Sequence, residues 1–393
     1  MDRLPEGLGE PLSVEGLLAD ETKRRALFPV TAERIYLAHA AVSPLPAGVA
    51  DSVGRYVTSS QKDDQEKAAG NVEEATRLLA AQFLGVPGAE VALLGPTSNA
   101  LSLVAMGFPF DEGDNVVIYR DDYPSNVYPW LSLRGRGVEV RSVQAPSLGR
   151  IGIDQILAEV DSRTRLVALA SCHFLSGVRL DLDEIGAALR MRGIAFCVDG
   201  IQSLGAFPLS LEYVDFMAAD AHKWLLGPCA AGVLYVRRAW QDRLGVSQWG
   251  WHNVACPGFV AQDELQIRDD AARYEAGTAN LMGLVGLQAA MRLLLHFGVE
   301  RIGRELLQKR TFLREGLLRA GYSVLGDGNS ETCLGGMISA TRQDLDMEKV
   351  FTRLAEARIH ASLRHDREGR AWLRFSPHFY NSRDELTTAL ECL

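Results

Sequence analysis

The sequence predicts an α/β fold: a mostly parallel sheet flanked by helices, followed by a smaller α+β module. Three observations carry this expectation. Short apolar runs rich in β-branched residues alternate with helical segments between residues 91 and 236. A long helical stretch follows over 281–320, interrupted at Phe297-Gly298. Residues 321–393 then read as strand, helix, strand, strand, helix.

Taken in order, residues 1–34 form an N-terminal arm with a polar start. Ile35-Tyr36-Leu37 is a short strand, and Ser43-Pro44-Leu45-Pro46 a turn. A polar helix is expected from there to about residue 84. Strands are expected at 91–94, 116–119, 138–143, 166–170, 194–198, 214–219 and 232–236. Helices are expected from Ser98, near 125–134, and over 154–160 and 181–192. The large domain is placed at 35–295 and the small one at 296–393. In sheets of this kind, ligands collect at the C-terminal ends of the strands.

Composition narrows the function. The charge balance is 41 − 50 = −9, which speaks against a broad nucleic-acid or anionic-membrane surface. Residues 1–20 lack the basic-then-apolar order of a secretory signal, and no apolar run reaches the length of a membrane span. The six cysteines, Cys172, Cys197, Cys229, Cys256, Cys333 and Cys392, include no CxxC pair. A reduced, cytoplasmic setting is expected. The histidines show no HExxH spacing, so no metal site is expected. The chain has no Walker A loop, no GxGxxG after a strand and no GxSxG elbow.

Two charges stand where a core would reject them. Asp199 ends the apolar run Ala195-Phe196-Cys197-Val198, and Lys223 follows Met217-Ala218-Ala219-Asp220-Ala221-His222. Each needs a partner or a shifted pKa. A lysine and a carboxylate so placed suit pyridoxal 5'-phosphate (PLP): the amine meets the aldehyde, and the carboxylate keeps the pyridine nitrogen protonated. Asp199 also suits a helix N-cap, but Gln202, three residues on, fits a contact to the ring's phenolic oxygen. Thr97 and Ser98, in Gly95-Pro96-Thr97-Ser98, offer hydroxyls at a helix start, either as an anion cradle or as an ordinary cap. Tyr123, at another strand end, either stacks on a ring or packs in its loop. Arg374 interrupts the apolar strand Trp372-Leu373-Arg374-Phe375; it suits a substrate carboxylate or a structural ion pair. Arg364 is a second candidate of the same kind. Trp249, Trp251 and His252 line a pocket or pack an interface.

Together these segments resemble the class V aminotransferase family of PLP enzymes, which includes cysteine desulfurases and isopenicillin N epimerase-like proteins. The resemblance runs from about Tyr36 to the C-terminus. It rests on the Asp199–Gln202 segment, the His222-Lys223 pair, the Gly277-Thr278 turn and the stretch from Arg374 to Asn381, in the family's order. It implies the fold type I architecture: a mostly parallel, seven-stranded sheet with a smaller α+β domain, normally a homodimer with shared active sites. It implies Lys223 as the Schiff-base lysine and proton shuttle, with Asp199 on the pyridinium. Thr97, Ser98 and His222 would hold the phosphate, and Thr278 would reach it from the neighbouring subunit. Tyr123 would stack on the ring, Arg374 would bind the α-carboxylate, and His39, Ala40 and Ala41 would lie near the substrate. Desulfurases of this family carry a nucleophilic cysteine before the substrate arginine; residues 359–370 here contain none.

The activity expected first is an aminotransferase on a small or medium amino acid. A C–S or other β-lyase is the alternative, then an epimerase, which needs a second acid: Tyr123, His39 or His173. A non-catalytic PLP-binding regulator fits less well, because Lys223 and Arg374 are intact and no basic helix-turn-helix is visible.

Overall fold

The computed structural model describes residues 12–393; the first eleven residues of the N-terminal arm lie outside them. A seven-stranded sheet organises the large domain. Its strands are β2 (Val91–Leu93), β3 (Asn115–Ile118), β4 (Glu139–Ser142), β5 (Thr164–Ala170), β6 (Ala195–Asp199), β7 (Phe216–Asp220) and β8 (Gly232–Val236). The spatial order is β2-β8-β7-β6-β5-β3-β4. All neighbours are parallel except those of β8, which runs antiparallel to both β2 and β7.

Every residue of β6, β7 and β8 is buried. This explains their unbroken apolar sequences: a central strand covered on both faces has no solvent side to mark with polar residues. Alternate residues serve opposite faces. Phe196, Val198, Met217 and Ala219 pack into one core with the helices Val72–Leu84 and Leu281–Phe297. Ala195, Cys197, Phe216 and Ala218 pack into the other, with Trp130, Trp240 and the helix Thr97–Gly107. Chain order reverses between β3 and β5, since β4 lies to one side and β6 and β7 to the other. The crevice at such a reversal is where doubly wound sheets bind ligands.

The small domain is a four-stranded antiparallel sheet in the order β12-β13-β10-β9, built from β9 (Ser323–Val324), β10 (Ile338–Thr341), β12 (Ser362–His365) and β13 (Ala371–Phe375). The helices Met347–Glu356 and Arg383–Glu391 cover it. The strand at residue 35, β1 (Ile35–Tyr36), pairs in parallel with β11 (Ile359–His360) of this module. Ala38 continues the contact with Ser376.

The helical stretch after residue 281 is two helices, Leu281–Phe297 and Val299–Arg319, bent by 77°. Gly298 sits between them at φ 82°, a conformation that favours glycine. No single helix among the described residues is long and apolar enough to cross a membrane. The polar helix expected up to residue 84 is instead three: Ala47–Ser60, Gln65–Ala69 and Val72–Leu84. Asp64 caps the second by accepting the Lys67 N–H, and Gly70, at φ 61°, ends it. The even polarity of this stretch hides both breaks.

The arm is tied to the far end of the chain. Arg24, on the helix Glu21–Leu27, donates to Glu385 at 2.7 Å and to the Tyr380 carbonyl at 3.2 Å, and both charged side chains are buried. Removing one partner strands the other charge. Arg24→Ala is expected to lower unfolding free energy by about 3 kcal/mol, read by denaturant titration. Arg24→Met combined with Glu385→Leu is expected to recover part of that loss.

Candidate active site

The strand ends around the crevice converge on one cavity of about 290 Å³. β6 delivers Asp199, which is 2% exposed. β7 ends at Asp220, and the turn after it carries His222 and Lys223; Lys223 is 6% exposed. That turn is tight: Leu226 adopts a left-handed φ of 58°, and the Gly227 N–H closes on the Ala221 carbonyl at 2.9 Å. Gly205, at φ 91°, lets the chain pass beneath it, since a Cβ there would lie 2.6 Å from the Trp224 carbonyl oxygen.

Burial lowers the Lys223 amine to about 8; the Asp199 carboxylate pulls it back up, while Arg374 and Arg364 push it further down. Burial pushes the Asp199 carboxyl up; the Ile201 N–H, at 3.0 Å from its Oδ1, and the Lys223 charge act against this. A protonated ring nitrogen beside Asp199 would add to the groups favouring its charged form. Gln202 lines the cavity, but its amide is already engaged: Nε2 donates to the Ala40 carbonyl at 3.1 Å, and Oε1 accepts from Trp224 at 2.9 Å. One amide N–H is left for a ligand.

Hydroxyls gather at the start of the helix Thr97–Gly107. Thr97 Oγ1 accepts the Asp220 N–H at 2.9 Å, and Ser98 donates to Ser125 Oγ at 2.8 Å. His222 lines the same cavity, with Nδ1 held by Asp220 Oδ2 at 2.6 Å. Asp220 Oδ2 also accepts the Ala230 N–H at 3.0 Å. A carboxylate on Nδ1 fixes the ring's orientation. Sequence reasoning missed Asp220, which lies within the run before Lys223, and Ser125, two residues beyond Tyr123. Their roles come from hydrogen bonds that residue spacing does not reveal.

Tyr123 is 42% exposed and lines the cavity; the Lys223 Nζ lies 5.1 Å from its ring centroid. Beneath it Asp122, buried, accepts N–H groups from Tyr123, Asn126 and Ala170. Burial and then the Asp199 charge push its carboxyl up to about 7. From the small domain, β12 and β13 bring Arg364 and Arg374 to the same cavity. Arg374 is almost wholly buried. Its Nη1 donates to the Phe174 carbonyl at 2.6 Å, but Nε and Nη2 are buried without a partner. Burial, and then Arg364, lower its guanidinium to about 9.

Other expected residues stand elsewhere. His39 does not face the cavity. It is fully buried, with Nδ1 on the Ser376 carbonyl (2.9 Å) and Nε2 on the Tyr380 hydroxyl (2.6 Å), so it holds the small domain against the strap from β1. His173 is likewise sealed, between Ser176 and the Asp121 carbonyl, and burial lowers it to about 4. Thr278 is exposed and borders a separate depression with Tyr56 and Gln65. Trp249 and Trp251 are exposed, and His252 lies between Glu73 and Glu275, 3.6 Å from each. Glu275 is already held by two bonds from Arg77.

Comparison with known proteins gives the family and the fold. The family model "Aminotransferase class-V" matches residues 35–388. A "Probable cysteine desulfurase" of Methanothermobacter thermautotrophicus is 30% identical over 389 residues, covering 93% of this chain and 95% of the relative. Another "Probable cysteine desulfurase", from Pyrococcus abyssi, is 27% identical, covering 93% and 94%. The solved apo structure of cysteine desulfurase from Thermococcus onnurineus superposes with a TM-score of 0.87 at 26% identity, covering 94% of this chain and 96% of that one. This chain belongs to the class V aminotransferase family and has the fold of its PLP-dependent members.

The residues present fit that cofactor. Asp199 offers the acid for the ring nitrogen and Lys223 an amine for the aldehyde. Thr97, Ser98, His222 and the helix start offer donors for the phosphate. Arg374 keeps two unused donors for an anion.

In apoenzyme, Lys223 is expected to react with amine-directed acylating reagents with a midpoint near pH 8. Asp199 stabilises the charged amine, so Asp199→Asn should move that midpoint lower. Peptide mapping across a pH series checks both; a midpoint near the ordinary lysine value would contradict the burial argument.

Proposed function

We propose that this PLP enzyme is a lyase that breaks the bond between the β-carbon and sulfur of a cysteine-type amino acid and releases the sulfur to solution. One observation carries the reading. The cavity holds the residues needed to anchor an amino acid and move its α-proton, yet none of the six cysteines, all among the described residues, lines it. Within residues 359–370, the stretch where a desulfurase would present its nucleophile, 366–370 form a tight turn closed by Gly369 N–H to Asp366 O at 3.0 Å and Asp366 N–H to Arg370 O at 3.1 Å. Cys172 is buried, and burial raises its thiol to about 12. A thiol held protonated is a poor nucleophile.

The names of the relatives favour sulfur chemistry over the aminotransferase expected first from the sequence. An epimerase loses two of its three candidate acids, because His39 and His173 are sealed from the cavity.

The chain's own residues divide the work. The free edge of Arg374 receives the α-carboxylate. Lys223, lowered towards neutral pH, takes the proton from the α-carbon and can deliver it to the departing sulfur. Asp199 holds the proton at the ring nitrogen, and Tyr123 lines the cavity. The bound cofactor supplies an electron sink that makes the α-proton acidic. Cysteine and water then give pyruvate, ammonia and hydrogen sulfide. In a homodimer, Thr278 of one copy would complete the phosphate site of the other.

Holoenzyme incubated with L-cysteine is expected to form pyruvate and sulfide in equal amounts, measured by chromatography and sulfide assay. Alanine with a protein-bound persulfide would instead mean desulfuration, and stoichiometric conversion of the cofactor to its amine form would mean transamination. Arg374→Gln is expected to raise KM about a hundredfold while cofactor retention stays unchanged; loss of both would make the arginine structural.

A further inference from the structure

We propose that Arg364 is a second anion site and that the preferred substrate is an amino acid carrying a second carboxylate on its side-chain arm. The inference rests on reading the cavity as an amino-acid site, and not on which bond is broken there.

The strand register places the two arginines. β12 and β13 are antiparallel, with Ser362 opposite Arg374 and Arg364 opposite Trp372. Arg364 is two residues beyond Ser362, so it shares the face of Arg374 as its diagonal neighbour, at about 7–8 Å between backbones. Both side chains line the cavity.

Their hydrogen-bond capacity differs from their occupancy. Arg374 has spent Nη1 on Phe174 O, which leaves Nε and Nη2, the parallel pair that fits one carboxylate. A single α-carboxylate saturates that edge. Arg364 donates Nη1 to the carbonyl of its own neighbour, Leu363, at 2.9 Å, and among the described residues its remaining donors meet no acid. Among the lining residues the only acid is Asp199, which stands beside Lys223. Two guanidiniums that repel one another at one cavity, with one acid serving a third cation, call for negative charge from the ligand. The hydroxyls and His222 suited to phosphate belong to the large domain, whereas both arginines come from the small one. The α-carboxylate accounts for one arginine, and a distal carboxylate accounts for the other.

The test uses holoenzyme and two matched pairs of ligands, L-aspartate with L-asparagine and L-glutamate with L-glutamine, titrated by the change in cofactor absorbance. Within each pair only the charge of the distal group changes greatly. The acid of the better-fitting length is expected to bind at least about tenfold tighter than its amide. Arg364→Gln is expected to shrink that ratio to about twofold while leaving the amide's affinity unchanged, which also shows that the variant is folded. Arg364→Lys should keep part of the preference. Three results would overturn the proposal: no preference in the unmodified enzyme, equal weakening of acid and amide by Arg364→Gln, or loss of cofactor with amino-acid affinity unchanged. The second would place both arginines on the α-carboxylate, and the third would place Arg364 on the phosphate. Because binding is read directly, failure of the lyase assignment would leave this preference intact.

Discussion

The buried amine of Lys223 sets the terms for the rest of the molecule. A lysine removed from water among Trp224, Leu225 and Leu226 is tolerable only if it loses its proton readily or is given a counter-charge. Both occur here: burial lowers the amine, and Asp199 at the end of the neighbouring strand limits the fall. The parallel pairing of β6 with β7 makes this geometry, since adjacent parallel strands end on the same side of the sheet. Had β7 run antiparallel, as β8 does, Lys223 would sit at the opposite edge from Asp199. The two charges therefore tie sheet topology to chemistry.

The second half of the site comes from elsewhere in the chain, so the domains must be held in register. The segment after β1 does this. Its start pairs with β11, and Ala38 meets Ser376. The Ser43 N–H and hydroxyl then donate to the His222 and Lys223 carbonyls, both at 2.7 Å. Between those ends, the Ala40 carbonyl accepts from Gln202 and His39 bonds Tyr380. A strap of about ten residues thus joins the sheet that carries Arg374 to the turn that carries Lys223. Arg367, in the turn between β12 and β13, adds an ion pair to Asp121 beside the Tyr123 loop. Arg374 and Lys223 are positioned by one continuous set of bonds.

Much of this was legible in the residues. The strands of the large sheet show themselves because full burial leaves unbroken apolar runs, against which Asp199, Lys223 and Arg374 stand out. The break at Gly298 was visible for the same reason, as a glycine in an otherwise helical pattern. Where side chains rather than segments decide, the sequence was silent. His39 lies beside Ala40 and Ala41, which do reach the cavity, but the chain turns there, closed by the Ala41 N–H on the Ala38 carbonyl at 2.8 Å, and the imidazole is spent on Ser376 and Tyr380. Asp220 reads as one more residue of the Lys223 motif until its carboxylate is seen to hold His222. Thr278 borders a different depression within the chain, away from the residues its motif was grouped with. The pairing of β1 with β11 joins segments more than three hundred residues apart, and no local pattern encodes it.

A second buried lysine sharpens the account. Lys309 is as well buried as Lys223, and burial lowers its amine too, but it is bonded to Glu305 one turn away on the same helix and does not line the cavity. Low exposure alone therefore does not single out Lys223; position at the strand ends beside Asp199 does. Reducing the holoenzyme with borohydride and mapping the modified peptide by mass spectrometry decides between them. The account requires the cofactor's mass on Lys223. The same mass on Lys309 or any other lysine, or no adduct at all, would contradict it.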